Sequence, residues 1–488
     1  MQFTIFMNRK KKILFYKKLS FCFLLFILLV STSGIAQNYL QYNISLLSVV
    51  SPETTNNWYA SQTKYAGCYG WHNPVDNREY AIIGSTKGNH FIEVTQPQNP
   101  VVRDFVPGAS QNSLWREIKT YQQYAYLVSD DNGSKFQIVD MSYLPDSVHV
   151  VYNSSALFTK AHTIFVDGNK LYCGGVSVVG VSGAISMMVY DLSNPANPVL
   201  LRSLSQDYPS ITYVHDMFVK NDTVYASAGN QGLYILKFNT STNTFNLLAD
   251  YTSYFEAGYN HSSYLTEDSK TLAFCDEVPA GLTVKLIDVS DLNNIQLKDT
   301  IRSNVGATAH NPYIMNNNHL IISYYQDGVY IYDISNSNNA QITGFFDTDY
   351  LHGLNDNYSF STPYRGCWGT YPYLPSGILL ASDMQNGLFI LDASEALKVK
   401  SNTLNKDFIL FPNPGNDQLT IGINGFNRGK YIFTFCDVSG KIILKEEIDV
   451  KTNLFKKEIN TSILSDGVYF LQISGEELSV VKKWVKTK

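Results

Sequence analysis

The chain has 488 residues, enough for two or three domains or for one large repeat fold with additions. Charged residues make up only 16% and Tyr alone supplies 34 positions, and with many Asn, Ser and Gly this composition favours an all-β protein over a helical one. The formal net charge of −5 is the wrong sign for a nucleic-acid partner.

The N-terminus has the order of a secretory leader. "MNRKKKILFYKK" is basic, "LSFCFLLFILLV" is an apolar core too short for a bilayer span, and "STSGIA" ends in small residues. Cleavage after Ala36 removes six basic residues (Arg9, Lys10, Lys11, Lys12, Lys17 and Lys18) and no acid. The mature chain then keeps 31 of its 37 basic and all 42 acidic residues, a net charge of −11. No second apolar run of spanning length follows, so no transmembrane segment is expected in the mature protein. Five Cys remain, far apart and without a CxxC spacing, which speaks against a zinc ribbon or a redox motif.

From residue 43 onward the chain repeats itself. "KFQIVDMS" (135–142), "SMMVYDLS" (186–193), "TVKLIDVS" (283–290), "GVYIYDIS" (328–335) and "GLFILDAS" (387–394) are alternating strands ending in an acid-plus-Ser turn. "NHFIEVTQ" (89–96) and "GLYILKFN" (232–239) are weaker copies, the second with Lys237 in place of the acid. Two strands joined by "DGN", "KND", "EDS" or "NNN" precede several copies, and a further strand such as "NPVLLRSL" follows. Four antiparallel strands recurring every ~45–50 residues are the blade of a β-propeller.

Seven units begin near Cys68, Leu114, Ala161, Tyr213, Tyr259, Ala309 and Gly366. The seventh has no fourth strand, whereas "NISLLSVVSP" (43–52) has the fourth-strand pattern and stands alone. This predicts a ring closed by its own N-terminal segment.

Aligned on their second strands, the units place His72, Arg116, His162, His215, His261 and His310 in one column, with Tyr371 nearby in the seventh. The first strand of a blade lines the channel, so these side chains are expected around one mouth. Asp216 and Glu277 are carboxylates expected beside it, and Trp71, Trp115, Trp368, Tyr371 and Tyr373 aromatics near the same rim. Neutral imidazoles suit a transition metal, and a His/Arg ring suits an anionic sugar group. A structural role for a histidine recurring blade after blade fits equally, so metal content stays open. No GxSxG, HExxH, P-loop or dinucleotide fingerprint stands in a supporting context, so no catalytic residue and no cofactor is assigned. "DDNGS" (130–134) reads as a hairpin turn rather than a calcium loop, lacking the completing Glu. Cys68 and Cys367 hold matching positions in units that adjoin on closure, which leaves a disulfide between them an open question.

After Leu397 the character changes. "KVKSNTLNKDF" is polar, and the remainder reads as a small β-sandwich with "NG", "SG" and "SDG" turns. Its "FPNP" (411–414), "VSGKII" (438–443), "LSDGVYFLQI" (464–473) and "VKKWVK" (481–486) resemble the type A sorting domain of the Bacteroidota type IX secretion system. That resemblance implies passage through the periplasm and contact with the secretion machinery through residues 408–488. It also implies removal of the tail and an extracellular or outer-membrane surface location.

"GCYGWHNPVDNREYAIIGSTKGNHFIEVTQPQNPV", "LWREIKTYQQYAYLVSD", "FQIVDMS" and "GLFILDAS" resemble the choice-of-anchor B family with LVIVD-type repeats, which implies an exported propeller and no assigned activity. The organisation expected is a leader at 1–36, a seven-bladed propeller at 37–397, a linker at 398–407 and the sorting domain at 408–488. The leading expectation is a binding or adhesion module for a glycan or surface protein. An enzyme acting on polysaccharide or another polymer at the channel mouth is the alternative, and a purely structural surface protein the third.

Overall fold

The computed structural model describes residues 39–54, 62–113, 115–349, 365–398, 407–424, 429–438, 440–451, 454–475 and 478–487. The leader expected at 1–36 lies outside them, as does all but the two ends of the linker expected at 398–407.

Why the chain folds as strands is visible in its turns. The "KND" and "NNN" hairpins each place two consecutive residues at positive φ, Asn221 and Asp222 at 49° and 60°, Asn316 and Asn317 at 51° and 61°. That is the backbone of a two-residue hairpin turn whose twist matches the flanking strands. The acid-plus-Ser signature closes a second kind of turn. The Asp140, Asp191, Asp288, Asp333 and Asp392 carboxylates each accept the backbone N–H two residues on, at 2.9–3.0 Å. In the copy where Lys237 replaces the acid, Asn239 makes the same contact with the Ser241 N–H at 2.9 Å.

All described secondary structure is β except one 3-10 turn, Leu204–Gln206, and no described helix is long and apolar enough to cross a membrane. Among the described residues nine antiparallel sheets form. Seven of them follow the repeat, with first strands Tyr65–His72, Arg116–Tyr121, Thr163–Asp167, Asp216–Lys220, Asn260–Leu265, Ala309–Met315 and Cys367–Tyr371. These are called the first to seventh sheets below. Each first strand packs beside that of the next sheet, and the seventh packs beside the first.

Apolar clusters fill every gap between successive sheets. Tyr80, Ile82 and Phe91 of the first meet Ile118, Leu127 and Val139 of the second. The series ends with Leu380, Leu388 and Ile390 of the seventh against Ala81, Ile83 and Ile92 of the first. Both faces of the middle strands are therefore covered, which is why Glu79–Ser85 is buried at every position instead of alternating.

The pairing expected at the N-terminus is present. Ser45–Val50 runs antiparallel to Gly387–Asp392 as the fourth strand of the seventh sheet. Gln41–Tyr42 adds a fifth strand to the sixth sheet, opposite Phe345–Phe346, which the repeat pattern did not announce. The described cysteines carry no disulfide. The buried Cys68 and Cys367 thiols both turn to the Gly369 carbonyl, at 3.9 and 3.8 Å.

The last two sheets share one core. Leu419, Ile421 and Ile423 of a three-stranded sheet pack with Phe433, Phe435, Leu471 and Trp484 of a four-stranded one. The Trp484 indole N–H donates to the Pro412 carbonyl at 2.7 Å, and Asn413 Nδ2 to the Lys483 carbonyl at 2.8 Å. The "FPNP" and "VKKWVK" stretches, 70 residues apart in sequence, thus form one local structure.

His90, outside the histidine column, is buried against Phe105 with ring centroids 4.5 Å apart. Burial lowers its pKa to about 4 even though the Glu53 carboxylate lies 3.9 Å away and opposes the shift. The unfolded imidazole takes up a proton near pH 6.5, so this contribution to stability is complete above that pH and declines as pH falls toward 4. At pH 5 the loss is about 2 kcal/mol. His90→Phe should remove that share of the pH dependence. Denaturant melts of both proteins at pH 7 and 5 measure it, and equal slopes would rule out burial of His90 as its source.

Candidate functional site

The seven first strands enclose a central cavity to which all of them contribute lining residues. What points into it is decided by bulges. In the fifth sheet the pairing jumps from Asn260–Asp276 to Ser262–Cys275, leaving His261 in the bulge. In the sixth it jumps from Ala309–Tyr324 to Pro312–Ile322 around His310 and Asn311. In the seventh it jumps from Cys367–Asp383 to Gly369–Ser382 around Trp368. A bulge re-aims the extra side chain, and these three aim inward. His162 and His215 reach the same level from just before their strands, their N–H groups held by the Gly174 and Ser227 carbonyls.

The result is a collar of stacked rings. Centroid distances run 4.0 Å from His162 to His215, 4.3 Å to His261, 4.3 Å to His310 and 4.5 Å to Trp368. Trp115 adds the remaining ring, and Ala66, in the corresponding bulge of the first sheet, packs against Trp368.

Four of the six residues placed in the column therefore come together, and two do not. His72 ends its strand opposite Glu79, at the far end from the collar. Arg116 follows Trp115, so strand alternation turns it away. Its buried guanidinium donates to the Ser85, Thr86 and Ser110 carbonyls at 2.5, 3.3 and 2.6 Å, tying the second sheet to the first. The seventh-sheet member is Trp368, not Tyr371. Trp71 is not a rim residue either: it is buried between the first and second sheets, its N–H on the Gln122 carbonyl at 2.8 Å. Trp115 and Trp368 are legible as nearby aromatics but not as collar members: Trp115 stands one residue before an unbroken first strand, and Trp368 sits in a bulge.

Three of the collar imidazoles, His215, His261 and His310, are held as neutral rings. His215 Nδ1 donates to the His261 carbonyl at 3.1 Å, and His310 Nδ1 donates to the Trp368 carbonyl. Holding the proton on Nδ1 leaves Nε2 as a bare acceptor. The His310 carbonyl lies near His261 and favours its protonated ring, but Ser262 Oγ already donates to that carbonyl. His261 Nδ1 is left without a hydrogen bond of normal geometry. Burial pushes His215 and His261 well below the usual histidine range, with neighbouring imidazoles adding to it, and lowers His310 to about 3. His162 instead pairs Nδ1 with Asp130 Oδ2 at 2.9 Å.

The collar divides two recesses. On one side lie Asp130, Tyr213, Tyr259 and Glu277. Glu277 Oε2 is 4.0 Å from His261 Nε2, Tyr325 donates its hydroxyl to Glu277 Oε1 at 2.7 Å, and burial raises the Glu277 pKa. On the other side, a band of polar groups holds Asp216, Glu117, Lys119, Thr163 and Asn311. Asp216 Oδ1 accepts from Thr163 Oγ1 at 2.8 Å, and burial together with the Glu117 charge raises its pKa to about 6. Lys119 ion-pairs with Glu117 and lies 5.0 Å over the Tyr69 ring. Beyond this band come Tyr69, Tyr264, Tyr313, Tyr371 and Tyr373, with neighbouring centroids 4.5–5.9 Å apart. Asp216 and Glu277, expected beside one rim, thus face opposite sides of the collar.

Residues 409–487 match the secretion system C-terminal sorting domain. That domain marks the chain for type IX secretion to the cell surface or beyond and implies contact with the secretion machinery. No curated protein matches the chain in sequence. Among solved structures, the chain is similar to PorZ, an essential surface component of the type IX secretion system of Porphyromonas gingivalis. That match has 12% identity and a TM-score of 0.47, and covers 90% of this chain and 61% of PorZ. A putative 6-phosphogluconolactonase from Bacteroides uniformis matches at 12% identity and TM-score 0.44, covering 82% of this chain and 100% of its own. U3-55K matches at 12% and 0.45, covering 71% and 98%.

Proposed function

We propose that the chain is an exported binding module. In this reading residues 1–36 are a cleaved leader, the seven repeat sheets are blades of a propeller of the LVIVD, choice-of-anchor B type, and the N-terminal strand closes the ring. The two C-terminal sheets form the sorting sandwich. The ligand is a saccharide taken into the recess on the Asp216 side.

One observation carries the choice of ligand. Hydrogen-bonding groups (Asp216, Glu117, Lys119, Thr163 and Asn311) are ranged directly above a bed of tyrosines. Carboxylates and amides suit a ring of hydroxyls, and aromatic faces suit the apolar C–H side of a sugar. Tyr373, 39% exposed, stands where such a ligand enters.

A saccharide array with the secreted protein tests this. Asp216→Asn and Tyr373→Ala should each weaken the best-bound saccharide at least tenfold, roughly 1.4 kcal/mol, while leaving the melting temperature nearly unchanged. Binding that survives both changes, or no bound saccharide at all, refutes the reading. Release of a shortened product would favour the enzymatic alternative, in which Asp216, protonated below about pH 6, supplies the acid.

A further inference from the structure

We infer that His215, His261 and Glu277 form a binding site for a divalent transition metal on the side of the collar facing away from Asp216. The inference goes beyond the saccharide reading and stands without it.

The geometry comes first. One ligand atom from each of the three residues lies within 4.8 Å of the other two. Around a tetrahedral metal with bonds near 2.0–2.1 Å, ligand atoms sit about 3.4 Å apart. Closure therefore needs shifts of about 1 Å, within reach of a tilt of two rings and a turn of the Glu277 side chain. Two imidazoles and one carboxylate are a donor set for zinc and ferrous iron.

The supports around these ligands match what metal sites use. The Nδ1 proton of His215 is anchored on the His261 carbonyl, so its Nε2 is the free donor, and Tyr325 holds the far oxygen of Glu277.

The charge balance points the same way. The Glu277 side chain is 10% exposed, and His261 Nε2, 4.0 Å away, is too distant for a hydrogen bond. Among the described residues, the nearby Lys285 is committed to Asp276 at 2.6 Å and Lys160 to Asp130 at 2.9 Å. A divalent cation bound there pairs with the Glu277 carboxylate. The Tyr213, Tyr259 and Asp130 side of the recess leaves room for water or an exchangeable ligand in the remaining coordination positions.

The test uses untagged, secreted protein stripped with chelator and titrated with Zn²⁺ and, separately, Co²⁺. One equivalent of Zn²⁺ per chain is expected, with a visible Co²⁺ absorption band of a low-coordinate nitrogen and oxygen site. Glu277→Gln keeps size and an acceptor for Tyr325, and should weaken Zn²⁺ at least tenfold. His215→Ala should do the same or more, with circular dichroism verifying the fold. His72→Ala, at the opposite strand end, should leave affinity unchanged. No stoichiometric uptake, or equal affinities in wild type and Glu277→Gln, would overturn the assignment.

Discussion

Deleting residues 37–52 should lower the melting temperature of the mature protein by about 10 °C. The segment buries Tyr39, Leu40 and Ile44, each no more than 8% exposed, and packs Leu46, Leu47 and Val50 against the seventh sheet. At about 1.5–3 kcal/mol per fully buried side chain, three such residues and their partly buried neighbours contribute about 5–10 kcal/mol. For a repeat region of some 360 residues, unfolding entropy near 2 cal/mol/K per residue converts this to roughly 7–13 °C. The deletion also bares the edges of Gly387–Asp392 and Gln341–Phe346 at once. Aggregation should therefore accompany the loss. Differential scanning calorimetry of the two secreted forms decides it. A shift below about 2 °C would show that the ring does not depend on this closure.

Replacing Lys285 by Met should cost about 3–5 kcal/mol, the largest single-residue effect expected here. Lys285 and Asp276 are both fully buried, 2.6 Å apart. Tyr254 also donates to Asp276 at 2.8 Å, and Lys285 to the Glu256 carbonyl at 2.9 Å. Removing the ammonium leaves a carboxylate in the interior with a phenol as its remaining side-chain donor. Adding Asp276→Asn removes that charge and keeps an acceptor for Tyr254, so the double variant should recover much of the loss. Urea melts of the wild type, both single variants and the double variant measure the coupling. Additive losses would place the cost in packing instead of charge.

The repeat was legible because its signals are local. An Asp that accepts the amide two residues on, or two Asn at positive φ, needs no distant partner, so each copy writes itself into the sequence. Observed first strands start within three residues of the expected unit starts, and even the fourth strand of the seventh sheet was readable at residues 43–52. The two-residue strand Gln41–Tyr42 was not, because a pair that short carries no pattern of its own.

The collar was legible only in part, because its members are fixed by exact position along each first strand. Side chains alternate along a strand, so one misplaced residue exchanges what faces the cavity for what faces the neighbouring sheet. Choosing Arg116 over Trp115 was such an error. His72 and Tyr371 lie six and three residues beyond Ala66 and Trp368, which hold the corresponding positions, farther than a one-residue bulge accounts for, so there the position along the strand was itself misplaced. A bulge is a response to packing between sheets, and no residue type announces it.

By itself, then, the sequence determined the β class, the recurrence of four-stranded sheets, the pairing of residues 45–50 with 387–392 and the sorting tail. All rest on short-range turn chemistry and period-two patterning. Only the tertiary structure decided which rings meet around the axis, that Asp216 and Glu277 fall on opposite sides of them, and that His261 faces a buried carboxylate. Apart from His261 and Glu277, which are 16 positions apart, those relations join residues 46 or more positions apart, and they depend on bulges and on burial that raises some pKa values and lowers others.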